Sequence, residues 1–304
     1  MTSLRHKLIV LLLKGVQYQR RSWGSKLPQK LAEACAKPGG PPKRFPAHLR
    51  IERTDMLGRA CYVLSPRSTV EPTLLNHVLY LHGGGYVDPI HPAHWKFLQR
   101  LVHETGCRVV VPLYPRTPEH QFKDALAMVD ASYANLLGNV SKDRFVIMGD
   151  SAGGGMALAF AQHLVATNRT PPRELVLISP WLDVTMSNPD ISFVEPRDPW
   201  LDCHELVECG RMYAGGESAD HPFVSPINGS VSGIDRITVF IGGRDIFLPD
   251  CVKFATAAKQ TTNVNIVYEP EMIHVWPILP IPEARAAQNL IFRSVLFPEP
   301  AGAH

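Results

Sequence analysis

One stretch, Gly149-Asp150-Ser151-Ala152-Gly153-Gly154, limits the folds open to this chain more than any other. The apolar run before it, Arg144-Phe145-Val146-Ile147-Met148, predicts a buried strand. The Ala- and Leu-rich run after it, from Gly155 to Ala161, predicts a packed helix. A serine between glycines at a strand-to-helix joint has the form of a nucleophile elbow. The tight turn tolerates almost no side chain at Gly149 and Gly153, and it pushes the Ser151 hydroxyl out above the sheet. The same letters also describe a glycine-rich turn with a helix-capping serine, so the rest of the chain has to arbitrate.

Residues 4–21 and 27–36 predict two helices, and Pro38-Gly39-Gly40-Pro41-Pro42 then breaks the chain. That break divides a helical segment, residues 1–48, from a body, residues 49–304. Alternating stretches at Leu49–Thr54 and Arg59–Leu64 flank Asp55-Met56-Leu57-Gly58 and predict a hairpin. Short apolar strands follow at 76–81, 108–112, 144–148, 175–181, 237–242 and 265–268, with helices expected at 94–104, 123–137, 249–260 and 282–296. This alternation predicts an α/β fold whose mostly parallel central sheet is covered by helices on both faces. Between residues 183 and 230 the rhythm lapses, and only Cys203–Tyr213 reads as helix. Such an insertion belongs over the ligand end of the sheet as a lid, together with the N-terminal helices.

A chain of 304 residues can bury a sizeable core, and its net charge of +3 gives no global pointer to nucleic acid. The charge is unevenly placed: residues 1–60 hold 13 Lys and Arg against Glu33, Glu52 and Asp55. That asymmetry reads as a solvated helix face, with contact to an anionic membrane surface as the second reading. The run Leu8-Ile9-Val10-Leu11-Leu12-Leu13 falls far short of the roughly 20 residues a spanning helix needs. Its apolar face is expected to pack on the body of the protein. Arg5, His6 and Lys7 before it imitate a signal peptide, but no convincing small-residue cleavage site follows, so a cytoplasmic chain is expected. The six cysteines show no framework spacing and read as free thiols.

Three further stretches fit the elbow. His82-Gly83-Gly84-Gly85 follows a predicted strand, and the N–H groups of Gly83, Gly84 and Ala152 could together hold the oxyanion of a tetrahedral intermediate. Asp245 follows the strand at 237–242, and His274 follows the last strand. The order Ser151, Asp245, His274 is the one an α/β-hydrolase topology imposes. His82, His91 and His94 lack a fourth ligand at metal spacing, so no metal site is expected.

The pairing of His82-Gly83-Gly84-Gly85-Tyr86 with Gly149-Asp150-Ser151-Ala152-Gly153-Gly154 resembles the hormone-sensitive-lipase-like family of α/β-hydrolases. The likeness extends over Tyr114-Pro115, Pro118-Glu119-His120, Ser179-Pro180-Trp181-Leu182-Asp183 and Val224-Ser225-Pro226. It implies a carboxylic-ester hydrolase with Ser151, Asp245 and His274 as triad and an N-terminal cap; acyl transfer through Ser151, with His274 as base, requires no metal or organic cofactor. The chain is especially similar to small bacterial and fungal esterases, lactone-opening ones included, around Gly242-Gly243-Arg244-Asp245-Ile246-Phe247-Leu248-Pro249-Asp250. The family more often shows Asp-Pro-Leu-x-Asp at the acid, whereas Asp245 and Asp250 stand one residue further apart, and Asp245 is the acid expected here. Tyr86, Trp181, Trp200 and Phe247 are candidates for an apolar substrate pocket. The expected partner is a small-molecule ester or lactone, and a homodimer is compatible with the chain. An interfacial lipase and a non-catalytic receptor on the same scaffold are the alternatives; the presence of His274 speaks against the receptor.

Overall fold

In a computed structural model of the chain, which describes residues 2–67 and 75–296, the body is built on one eight-stranded sheet. The expected body runs on to residue 304, and its last residues, 297–304, lie outside the described ones. The chain opens with helix α1 (Leu4–Arg21) and α2 (Leu27–Cys35), then the hairpin β1 (Leu49–Met56) and β2 (Arg59–Pro66). Next come β3 (His77–Leu81), α3 (Pro92–Thr105), β4 (Arg108–Pro112), α4 (Phe122–Leu136), β5 (Phe145–Asp150), α5 (Ala152–Ala166) and β6 (Glu174–Ile178). After an irregular stretch holding α6 (Ile191–Val194) and α7 (Cys203–Ala214), the chain returns through β7 (Arg236–Arg244), α8 (Leu248–Ala258), β8 (Asn263–Ile273) and α9 (Ala284–Leu296).

The strand order is β1-β2-β4-β3-β5-β6-β7-β8. The β1/β2 and β2/β4 pairs are antiparallel and every later pair is parallel. Parallel strands must be rejoined by crossovers, so helices cover both faces and the central strands become apolar throughout. Every residue of β3, β5 and β6 is accordingly buried. The core divides into two clusters, one on each face: α4, α5 and α8 pack on one side, α3 and α9 on the other.

The elements follow the sequence reading closely, except that β8 runs over Asn263–Ile273 and not 265–268 alone, and that three further differences stand out. Helix α3 begins at Pro92 instead of His94, because the His91 ring accepts the Ala93 N–H and proline fits the first helical turn. The stretch 183–230 is more helical than its proline content suggests, carrying α6 and two single turns at Glu195–Arg197 and Pro226–Asn228 besides α7. Helix α1 corrects the third expectation. It turns His6, Gln17 and, less fully, Ile9, Val10 and Leu13 toward the protein, while Leu4, Leu8, Leu11 and Leu12 face outward. Among the described residues no helix is long and apolar enough to cross a membrane. All six cysteines are unbridged, and burial pushes the thiols of Cys61 and Cys107 up to about 11 and about 12.

Helix α1 is anchored at both ends. Ser3 Oγ donates to Glu283 Oε2 at 2.9 Å. At the other end Arg20 spans Glu205 of α7 at 2.6 Å and Asp88 at 3.2 Å.

Candidate active site

Ser151 follows β5 directly and takes φ 51°, ψ −124°, a region that non-glycine residues rarely occupy. The elbow survives because the chain around it approaches closely at glycine. A Cβ at Gly149 would lie 2.2 Å from the Gly153 carbonyl oxygen, and one at Gly153 would lie 2.1 Å from that of Leu81. Two hydrogen bonds stitch the turn to the end of β6: Ser151 N–H donates to Ile178 at 2.9 Å, and Trp181 N–H donates to Ser151 at 2.9 Å. The Ser151 side chain makes no capping bond to α5, which disposes of the capping-serine reading, and its Oγ has no hydrogen-bond partner among the described residues.

Asp245 lies just past β7, where a bulge between Gly242 and Arg244 shifts the register against β8. The carboxylate is wholly buried; Oδ1 accepts the Phe247 N–H at 3.0 Å, and Oδ2 accepts from His274 Nδ1 at 3.0 Å. With Nδ1 so engaged, Nε2 is the ring nitrogen open to a reacting group. Burial alone would lower the His274 pKa, but the Asp245 carboxylate and, behind it, the charges of Asp198 and Asp150 outweigh that and hold it above the usual value of 6.5. The Val275 N–H donates to Ser179 Oγ at 2.9 Å, fixing the backbone next to His274. Ser179 follows Ile178, to which Ser151 is bonded, so Ser151 and the backbone beside His274 are tied to adjacent residues at the carboxyl end of β6. Asp250 stands apart: it accepts from Asn188 Nδ2 at 2.9 Å, and burial raises its pKa.

A third carboxylate escaped sequence reasoning. Asp198 is buried in the irregular stretch, and its Oδ1 accepts the N–H groups of Trp200 at 2.8 Å and Leu201 at 3.0 Å. Its Oδ2 accepts the N–H of Ile246 at 2.9 Å. Burial first, and the nearby Asp245 charge second, push it up to about 6. Gln17 of α1 donates to the backbone carbonyls of Asp198 and Leu201, so the N-terminal helix is tied to this corner of the site. The only sequence signal was its place in Arg197-Asp198-Pro199-Trp200, a turn-forming pattern that says nothing of a long-range contact.

The glycine loop after β3 requires one correction. Gly83 N–H is not free: it donates to Asp150 Oδ1 at 3.1 Å. Asp150 also accepts from the Tyr80 hydroxyl at 2.5 Å and from His94 Nε2 at 3.1 Å. Among the described residues, the N–H groups of Gly84, Gly85 and Ala152 meet no protein acceptor, and neither do those of Tyr86, Gly153 and Gly154. Gly84 and Gly85 take φ 123° and 60°, where a side chain would be strained. The histidines of the loop are occupied as well. His94 Nδ1 accepts the His91 N–H at 2.9 Å. The His82 ring stacks on Tyr114 at 4.4 Å, its Nδ1 donates to Gly83 O at 2.7 Å, and burial lowers its pKa to about 3.

The four aromatic candidates form parts of one row. Tyr213 stacks on Tyr86 at 3.5 Å, Tyr86 on Trp181 at 5.5 Å, and Trp181 on Phe247 at 5.9 Å. Phe247 then meets the His274 ring edge-on at 5.2 Å, and Trp200 meets it at 5.6 Å. Tyr86, Trp181 and Phe247 are buried almost completely, whereas Trp200 keeps a partly exposed face.

A family model described as alpha/beta hydrolase fold matches residues 78–278, which hold Ser151, Asp245, His274 and the glycine loop. An acetyl-hydrolase of Streptomyces hygroscopicus is 32% identical over 67% of this chain and 70% of its own. An esterase of Acinetobacter venetianus is 28% identical over 69% of this chain and 71% of its own. Among solved structures, an esterase from the bacterial hormone-sensitive lipase family superposes with a TM-score of 0.76 at 25% identity, covering 90% of this chain and 96% of that one.

Proposed function

The chain belongs to the hormone-sensitive-lipase-like family of α/β-hydrolases and is an ester hydrolase, and from that premise we propose that it cleaves small to medium apolar carboxylic esters through an acyl-enzyme on Ser151. The observation that carries the reading is the buried His274–Asp245 hydrogen bond at 3.0 Å, beside an elbow serine whose Oγ is unpartnered.

In this mechanism Ser151 Oγ attacks the ester carbonyl carbon while His274 Nε2 takes its proton. Asp245 holds the ring in the tautomer that leaves Nε2 unprotonated and stabilises the imidazolium that forms. The carbonyl oxygen becomes an oxyanion, for which the N–H groups of Gly84, Gly85 and Ala152 are the donors proposed. Gly83 serves instead to tie the loop to Asp150. Loss of one such donor typically costs about 2.7–4 kcal/mol of transition-state stabilisation. The intermediate collapses, the alkoxide leaves with the proton from His274, and water enters by the same route in reverse to release the acid and regenerate Ser151. The exposed face of Trp200, next to the His274 ring, is the apolar wall this reading assigns to the substrate. Residues 1–48 and 183–230 form the cap over it.

The test is hydrolysis of p-nitrophenyl butyrate together with labelling by an organophosphonate that reacts with activated serines. Loss of both in Ser151→Ala, with an unchanged circular dichroism spectrum, is the expected result. Undiminished turnover or labelling elsewhere would overturn the assignment.

A further inference from the structure

Helix α1 turns Ile9, Val10 and Leu13 toward the protein with His6 and Gln17, and carries a second apolar stripe on its outer side. A surface helix ordinarily buries its apolar stripe and turns its polar face outward. At about 100° per residue, Leu4, Leu8, Leu11 and Tyr18 share the side of α1 opposite to buried His6 and Gln17, with Leu12 beside them. Their exposures are 73%, 52%, 67% and 80%, with 69% for Leu12. That stripe is bordered by Lys7 and Lys14 on one flank and by Arg5 on the other. No carboxylate lies anywhere in α1, and among the described residues none pairs with Arg5, Lys7 or Lys14. Arg20 and Arg21, by contrast, are held by Asp88, Glu205 and Asp202.

We propose that the outer face of α1 docks the protein on an anionic lipid surface, with Leu4, Leu8, Leu11 and Leu12 entering the headgroup–acyl boundary and Arg5, Lys7 and Lys14 meeting lipid phosphates. A row of exposed leucines bounded by unpaired cations matches the apolar-and-anionic chemistry of such a surface. The excess of 13 basic over three acidic residues in positions 1–60 adds a long-range attraction of the same sign. A second copy of the chain is the poorer occupant. Two α1 faces brought together would set Lys7, Lys14 and Arg5 against their own counterparts with no acid on the helix to offset them. The placement also has a consequence for chemistry. Through Gln17, α1 is bonded to the carbonyls of Asp198 and Leu201, the corner next to Asp245 and His274, so docking on this face sets the site close to the lipid surface.

The experiment is co-sedimentation of the full chain with phosphatidylcholine vesicles, with and without phosphatidylglycerol, at increasing salt. Binding to the phosphatidylglycerol vesicles that weakens as salt rises is the expected result. Leu8→Gln with Leu11→Gln, and separately Lys7→Glu with Lys14→Glu, should each lower the bound fraction on the order of tenfold or more. Hydrolysis of a water-soluble p-nitrophenyl ester should be unchanged in both, since none of these residues touches the site; this arm also reports that the variants fold. No binding to anionic vesicles at low salt would overturn the proposal, as would binding by both variant pairs equal to that of the parent. Self-association that the leucine substitutions abolish, without any vesicle binding, would assign the face to a second copy and overturn it as well.

Discussion

Asp198 grips the backbone of Ile246, accepting its N–H at 2.9 Å one residue beyond Asp245. A side chain from the irregular stretch thereby fixes the strand end that presents the carboxylate to His274. The same group adds negative charge near the imidazole and is one reason its pKa lies above 6.5. Asp198 touches neither ring nitrogen, so it acts through Asp245 and His274 as a positioning residue.

Asp198→Asn tests both roles. In the proposed mechanism His274 must be neutral to take the Ser151 proton, so activity is expected to rise with pH through the His274 pKa. Removing a nearby negative charge lowers that pKa, and the acid limb of kcat/KM should move to lower pH. An amide has only one acceptor oxygen where the carboxylate served three N–H groups, so a stability loss of about 1–3 kcal/mol is expected. A pH–rate profile on a soluble ester reads the first effect and urea unfolding the second. An acid limb that stays in place, or moves upward, would count against the electrostatic role.

The two aspartates near β7 should behave differently. Asp245→Asn removes the charge that stabilises the imidazolium and favours the wrong tautomer, so kcat should fall on the order of 10⁴-fold, with KM little changed. Asp250→Asn keeps an oxygen for Asn188 and removes a carboxyl group whose charged form is already disfavoured by burial. Its kcat should stay within about twofold of the parent. Single-substrate kinetics on the two variants decide the matter, and the reverse ranking would make Asp250 the partner of His274.

Most of the fold was legible because its signals are local. The apolar runs of β3, β5 and β6 and the glycines of the elbow all lie in short stretches whose chemistry depends on neighbours in the chain. What escaped depends on contacts between distant stretches. Asp198 looks like any turn aspartate until its Oδ2 is found on Ile246, 48 residues away. Gly83 has the same credentials as Gly84 until Asp150, 67 residues on, takes its N–H. Helix α1 has apolar residues around most of its circumference, so its periodicity did not determine which side would meet the body; His6 and Gln17, polar yet buried, are the side that does.

Gly83→Ala follows from the same contact. The added Cβ would stand 2.3 Å from Asp150 Oδ2 and 2.9 Å from the Ser151 Cβ. Asp150 cannot retreat, because Tyr80 and His94 hold it from two other directions. Displacement of the elbow should cost at least about 100-fold in kcat. Asp150→Asn removes part of the same network without the clash. The ring of His94 and the hydroxyl of Tyr80 outweigh burial and hold the Asp150 pKa below 3.8, so its charged form stabilises the fold above that pH and the benefit is lost as pH falls through the folded value. The parent should therefore lose stability on acidification below about pH 4 more steeply than Asp150→Asn. Parallel slopes in acid titrations followed by tryptophan fluorescence would mean that Asp150 carries no such linkage.

Ser179→Ala isolates the hold on His274. Ser179 is fully buried, and its hydroxyl accepts the N–H of Val275, a β-branched residue in a left-handed conformation at φ 47°. Such a conformation is costly and persists only where its surroundings enforce it. Alanine leaves the volume of the site nearly unchanged but strands a buried N–H, at a cost of about 1–3 kcal/mol in stability. The turn that carries His274 should then sample other backbone states, and Nε2 should lose its alignment with Ser151 for part of the time. We expect kcat to fall on the order of tenfold with KM nearly constant, and Ser179→Thr, which keeps the hydroxyl, to recover part of the loss. Steady-state kinetics beside a denaturant titration separate the two effects. If the stability loss appears while kcat is untouched, Ser179 braces the loop without positioning the base.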